Sequence, residues 1–240
     1  EAHMICQDLE EKQEEFKEIL KIGRTHLQDA VPMKLGDTFG AYASSMKEEI
    51  ISIKEASEKL LEINMGATAI GTGICCVPGF SAKIIANLRK NTGWDIKLSK
   101  DLIFATSDTG SMVNYSSALK KLSLRLIKIC NDLRLLSSGP RCGLEEISLP
   151  EMQSGSSIMP GKVNPVIPEV VNQVCYRVIG NDTTVMPSSG NSQLELNVFE
   201  PVMVYSILES VSMLTNAIET LAIKCISGIK ANKKKCQEYS

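Results

Sequence analysis

Three stretches of this 240-residue chain repeat apolar or small residues at alternating spacings of three and four. They are Ala43, Met46, Ile50, Ile53, Ser57 and Leu60; Leu119, Leu122, Leu126, Ile129, Leu133 and Leu136; and Val204, Ile207, Val211, Leu214, Ile218, Leu221 and Cys225. Residues at this spacing share one face of a helix, whereas a strand alternates at every second residue. Helices of roughly 20 to 30 residues follow, well beyond the globular mean. Such helices bury their stripes against one another in bundles. Few runs between them alternate strictly enough to be strands. The expected fold is all-α, a long-helix bundle, with residues 1–240 as one helical domain.

The punctuation fits. Pro32 and Gly36 precede the first long helix, Asp108 and Thr109 are candidate caps of the second, and Ser138-Gly139-Pro140 ends it. Pro165 and Pro168 open a further helical run, Val166 to about Met186, and Pro201 stands early in the last helix. Ile5, Leu9, Phe16, Ile19 and Leu20 form one stripe of a helix at the front. Ile63 to Ala82 carries no charge and is about one membrane span long. Its glycines and Pro78 argue instead for a buried or folded-over loop between helices.

Charge and cysteine usage narrow the function classes. Lys plus Arg is 26 and Asp plus Glu is 28, a net charge of −2, which argues against a dedicated nucleic-acid binder. The first residues are polar and acidic, unlike a signal peptide. Of eight cysteines none forms a CxxC pair, and only two histidines are available to join them. Neither a zinc site nor a disulfide framework is expected; reduced thiols in a cytoplasmic protein are.

Two segments concentrate chemistry. Gly23-Arg24-Thr25-His26-Leu27-Gln28-Asp29-Ala30-Val31-Pro32 packs a cation, hydroxyl, imidazole, amide and carboxylate into what reads as a connection between two helices. Ser154-Gly155-Ser156-Ser157-Ile158-Met159-Pro160-Gly161-Lys162-Val163-Asn164-Pro165 reads as a loop whose backbone N–H groups converge just before a helix start, which suits a small carboxylate. It is not a Walker A loop, because five residues separate Gly155 from Gly161-Lys162 and Val163 replaces the metal-binding Ser or Thr. Gly71-Thr72-Gly73 is no dinucleotide fingerprint, since Cys76 occupies the third glycine's place. Glu169 in the next helix's first turn favours that helix by about 0.3–1 kcal/mol in any case; the functional alternative is an acid that orients and charges a histidine.

GRTHLQDAVP and GSSIMPGKVNP resemble two of the three signature regions of the fumarase/aspartase superfamily, and the resemblance runs over essentially the whole chain. Val166 to Val174 followed by Ile179 to Thr184 is similar to the aspartase branch; class II fumarases differ in most positions after Pro165. Gln193 to Val198 is shared in outline by both, and His26 occurs in both. The resemblance implies a homotetramer that pools long helices in a central bundle and builds each active site from three subunits. It implies a central helical part of a longer enzyme, since the first signature region and the small C-terminal domain are not in these residues, and an isolated part that is inactive. The implied reaction is anti elimination of ammonia from L-aspartate to fumarate, with no cofactor and no metal. Ser156 is the implied base. Ser157, Lys162, Asn164 and the Val163 backbone are implied substrate contacts, and Thr25 and His26 implied carboxylate contacts. His26 would pair with Glu169 of the partner subunit. A fumarase acting on malate and a non-catalytic structural relative are the alternatives. No nucleic-acid or membrane partner is expected.

Overall fold

The computed structural model describes residues 2–153, 155, 158, 159 and 161–240. In chain order, helix α1 (Ala2–Glu15) leads into strands β1 (Leu20–Thr25) and β2 (Gln28–Lys34), then α2 (Leu35–Lys59), β3 (Glu62–Ile63), α3 (Phe80–Thr92), β4 (Lys97–Leu98), the single turn α4 (Phe104–Ser107), α5 (Gly110–Leu136), β5 (Ile147–Ser148), α6 (Val166–Gly190) and α7 (Glu200–Lys224). A 3-10 turn (Ile226–Gly228), β6 (Lys230–Ala231) and α8 (Lys233–Tyr239) follow. The all-α expectation holds, with three two-stranded additions: β1–β2 and β5–β6 antiparallel, β3–β4 parallel. Chain contacts divide it into two compact units, one of Glu1–Ile50, Lys121–Arg177 and Ser212–Ser240, the other of Ile51–Lys120 and Val178–Val211.

In the first unit the α5 stripe does what its spacing requires. Leu122, Leu126, Ile129, Leu133 and Leu136 are all buried, each such side chain contributing about 1.5–3 kcal/mol of burial. Phe16, Phe39 and Tyr42 stack edge to face, with ring centroids 5.2 and 5.8 Å apart. Two details differ from the sequence expectation. Helix α1 stops at Glu15; Phe16 and Ile19 are still buried, but from a turn, and Leu20 begins a strand. Gly36 lies inside α2, not before it. Its lack of a side chain lets α2 approach α1, since an added Cβ would meet the Gln13 carbonyl oxygen at 2.5 Å. Lys12, itself buried, donates to the Ile229 carbonyl at 2.9 Å just past the 3-10 turn.

In the second unit, polar side chains pin the helices. Asp182 is buried and accepts from Ser116 at 2.8 Å and from Lys120. Asn181 donates to Glu209 at 2.8 Å and to Ser210 at 3.0 Å. Asp108 caps α5 by accepting the Gly110 N–H at 3.1 Å. The Thr109 hydroxyl instead donates to Ser189 (2.8 Å) and accepts from Asn197 (3.1 Å), which also donates to the Ser188 carbonyl. Helix α6 runs past Pro187 to Gly190; a proline in the last turn removes one ladder bond without ending the helix outright. The uncharged stretch after Ile63 is a folded-over loop, but not a buried one: Ile70, Ile74 and Val77 are exposed. The segment Glu200–Gly228, mean hydropathy 1.2, is long and apolar enough to cross a membrane by length and composition alone. Leu214, Ile218, Leu221 and Ala222 within it are buried in the fold.

Candidate active site

The first chemical segment connects two helices, α1 and α2, as expected, and does so as a β-hairpin. Its turn is made by His26 and Leu27, both left-handed at φ 55° and 59°, the geometry of a two-residue hairpin loop. The ladder pairs Ile22 with Pro32, then Arg24 with Asp29 and Thr25 with Gln28, with a bulge at Gly23. A Cβ on Gly23 would come 2.9 Å from the Val31 carbonyl oxygen, so only glycine fits there. Thr25, His26 and Asp29 are exposed at the tip. The strand alternation is visible in β1 alone, where Lys21 and Gly23 are buried; β2 is exposed for most of its length.

The root of the hairpin is fixed by a buried carboxylate. Glu146, just before β5, is fully buried. Arg24 Nη1 donates to its Oε1 at 2.8 Å, and Lys21 Nζ stands 3.5 Å from Oε2. Oε2 receives no hydrogen bond from a described residue, so the Lys21 charge alone serves it. The Glu146 carbonyl accepts the Asn232 N–H at 2.8 Å and the Cys236 thiol at 3.6 Å. The Arg24 guanidinium lies 5.7 Å from the Tyr239 ring centroid. Burial, and then the Glu146 charge, push the Cys236 thiol up to about 11.

The second chemical segment borders a cleft of about 610 Å³, within the ordinary range of small-molecule sites. Its walls are Arg134 in the last turn of α5, Ser137 to Pro140 just after it, Glu145, Ile147 to Leu149, and Gly161 to Pro165. Lys162, Val163 and Asn164 thus share one surface, as their proximity in sequence suggested. Lys162 and Val163 are exposed, and among the described residues Lys162 has no ion-pair partner. The expected convergence of loop amides is not met at Lys162, whose N–H turns back to the Met159 carbonyl at 3.3 Å. Pro165 and Pro168 have no N–H to offer at the start of α6. Two cationic side chains, Lys162 and Arg134, and one carboxylate, Glu145, line the cleft.

Glu169, in the first turn of α6, is half-buried; its Oε1 is 3.8 Å from Arg134 Nη2. In this chain its partner is that arginine, not His26. Thr25 and His26 are not among the residues that line the cleft. Ser156 and Ser157 lie outside the described residues. Among the described residues no group of three His, Cys, Asp or Glu side chains is placed to hold a metal. Sequence reasoning passed over Arg134 and Glu146. A cation in the last turn of α5, one residue past the buried Leu133, was the available signal for the first; nothing local distinguishes the second from an exposed acid.

A lyase family model matches residues 1–180, and the chain belongs to that family. Aspartate ammonia-lyase of Escherichia coli strain K12 is 56% identical over 237 residues, 99% of this chain and 50% of that protein. A solved structure described as fumarate lyase:delta crystallin from Brucella melitensis, bound to cobalt, superposes with a TM-score of 0.97 at 48% identity, over 99% of this chain and 52% of that one. A recombinant class II fumarase from Schistosoma mansoni gives a TM-score of 0.96 at 34% identity, over 99% and 53%. The chain spans about half the length of the relatives it matches. The superfamily resemblance carried by the two motif strings is borne out.

Proposed function

We propose that this chain is the central helical part of an ammonia-lyase that converts L-aspartate to fumarate and ammonia reversibly. The observation that carries the reading is the meeting of Lys162 and Asn164 on one open cleft beside Arg134, in a chain 56% identical to an aspartate ammonia-lyase. Removing the proton next to a carboxylate leaves a dianionic, enediolate-like group. Preorganised positive charge stabilises such a group by several kcal/mol. Lys162 supplies the charge, and Asn164 and the Val163 and Ser157 positions supply hydrogen bonds. Ser156 takes the proton as an alkoxide, the C–N bond breaks, and ammonia leaves from the neighbouring carbon. Thr25 and His26 hold a substrate carboxylate, and Glu169 of the partner subunit pairs with the His26 imidazole and orients it.

The chain assembles as a homotetramer with active sites shared between subunits. The support is that α6 and α7 leave large apolar side chains uncovered in this chain, Tyr176, Tyr205 and Leu208 each more than half exposed. The 240 residues alone are inactive, because the first of the three signature regions is not among them. The reading needs no cofactor or nucleic acid, and free thiols at all eight cysteines suit the cytoplasm. A fumarase reading is favoured only by the structural match to the Schistosoma fumarase. The test offers L-aspartate and L-malate separately to the enzyme completed to its relatives' length, following fumarate by ultraviolet absorbance. Fumarate from aspartate alone supports the ammonia-lyase; fumarate from malate alone overturns it. Lys162→Met is expected to lower kcat/KM by about a hundredfold or more.

A further inference from the structure

We propose that Arg134 is a positioning residue that acts through Glu169, holding that carboxylate in the direction it must face to meet its histidine. The proposal rests on the reading above, in which Glu169 serves the active site. In the first unit α5 and α6 run antiparallel, anchored where Asn172 Nδ2 donates to Asn131 Oδ1 at 2.9 Å. Asn172 is almost wholly buried, which holds the α6 side of this anchor, while Asn131 is exposed on α5. Three residues onward along α5 and three back along α6 bring Arg134 opposite Glu169.

The guanidinium is held at two points. Nη1 donates to the same Asn131 oxygen at 3.3 Å, and Nη2 faces Glu169 Oε1 at 3.8 Å. The fork of an arginine makes both contacts at once; a lysine has a single point charge. At 3.8 Å the contact with Glu169 is an ion pair and not a hydrogen bond. Both side chains are about two-fifths exposed, so the pair contributes little to stability. What it does is orient: it ties the Glu169 carboxylate to Asn131, itself bonded to the buried Asn172, while leaving the carboxylate open to a second cation. Arg134 also lines the cleft that holds Lys162 and Asn164.

The experiment is a double-mutant cycle in the completed, assembled enzyme, with kcat and KM for L-aspartate measured for Arg134→Met, Glu169→Gln and the double variant. Removing a residue that orients a functional group typically costs about 10- to 100-fold; Arg134→Met is expected to lower kcat about tenfold and to move KM less than about threefold. In the Glu169→Gln background it should lower kcat by less than about twofold, because its target is gone. Arg134→Lys keeps the charge and loses the fork, so kcat should fall between the two. An equal loss from Arg134→Met in both backgrounds overturns the proposal, as does full activity of Arg134→Met. If Arg134→Met does not fold, Arg134→Lys carries the same cycle. Wild-type kcat in Glu169→Gln overturns the underlying reading of Glu169, and is seen independently of any change at Arg134.

Discussion

Glu146 is sealed from solvent with Arg24 at 2.8 Å, whereas Glu169, in the same unit, is 40% exposed with Arg134 at 3.8 Å. Each is an acid facing an arginine, and the two pairs are built for different work. Around Glu146 every polar contact is internal: Arg24 and Lys21 on the carboxylate, Asn232 and Cys236 on the carbonyl. Low dielectric makes such a cluster strong when complete and costly when broken. It joins the hairpin, the β5–β6 pair and α8, and its partners cannot change. Around Glu169 water is close, the ion pair is long, and a second partner has room. A carboxylate that must switch or share partners belongs in the second setting.

The largest expected effect breaks this contrast directly. Arg24→Met leaves a buried carboxylate with one cation at 3.5 Å, and should cost about 3–5 kcal/mol. Arg134→Met removes a half-exposed partner and should cost less than about 1 kcal/mol. Urea unfolding of both variants checks the pair. A loss below about 1 kcal/mol for Arg24→Met would mean that the Glu146 cluster relaxes or hydrates, and the distinction between the two acids would fall.

The long helices were legible because burial repeats at their own period: all six positions of the α5 stripe are buried. The hairpin was not, because its strands face solvent on one side. In β2 neither face alternates, so period two leaves no trace in residue type. Its turn also hides. Asn-Gly or Asp-Gly announces a two-residue loop, but here His26 and Leu27 hold the left-handed positions. The lysine and asparagine of the cleft were legible from their motif. Arg134 was not, because its meaning depends on α6 lying antiparallel to α5, a relation that no window of sequence contains. The folded-over loop after Ile63 was legible from its glycines, but its exposure was not.

Two thiols sharpen the comparison from the solvent's side. Cys236 lies against the Glu146 carbonyl and is buried; Cys142 is exposed in the turn between the cleft-lining Pro140 and Glu145. The thiolate is the reactive form. With its pKa raised to about 11, Cys236 at pH 8 carries only about a thousandth of its thiol as thiolate, and that share rises about tenfold per pH unit up to its pKa. Cys142 should therefore be alkylated at least about a hundredfold faster than Cys236 in the folded protein at pH 8. Peptide mapping after timed iodoacetamide treatment reads both. Comparable rates would show that the β5–β6 edge opens readily and that Glu146 is not sealed.

The smallest effect concerns the hairpin tip that the Glu146 cluster supports. A residue with a Cβ in the left-handed region costs roughly 1–2 kcal/mol, and Leu27 at φ 59° is 72% exposed. Leu27→Gly removes that cost, while glycine's greater freedom in the unfolded chain returns about 0.5–1 kcal/mol. A net gain of up to about 1 kcal/mol is expected, read as a small upward shift of the thermal midpoint. The gain should shrink in the Arg24→Met background. There the root of the hairpin is no longer held, and a strained tip relaxes by fraying instead of by substitution. An equal gain in both backgrounds would mean that the tip holds its shape without the cluster, and that the buried acid supports the β5–β6 edge and α8 but not the histidine.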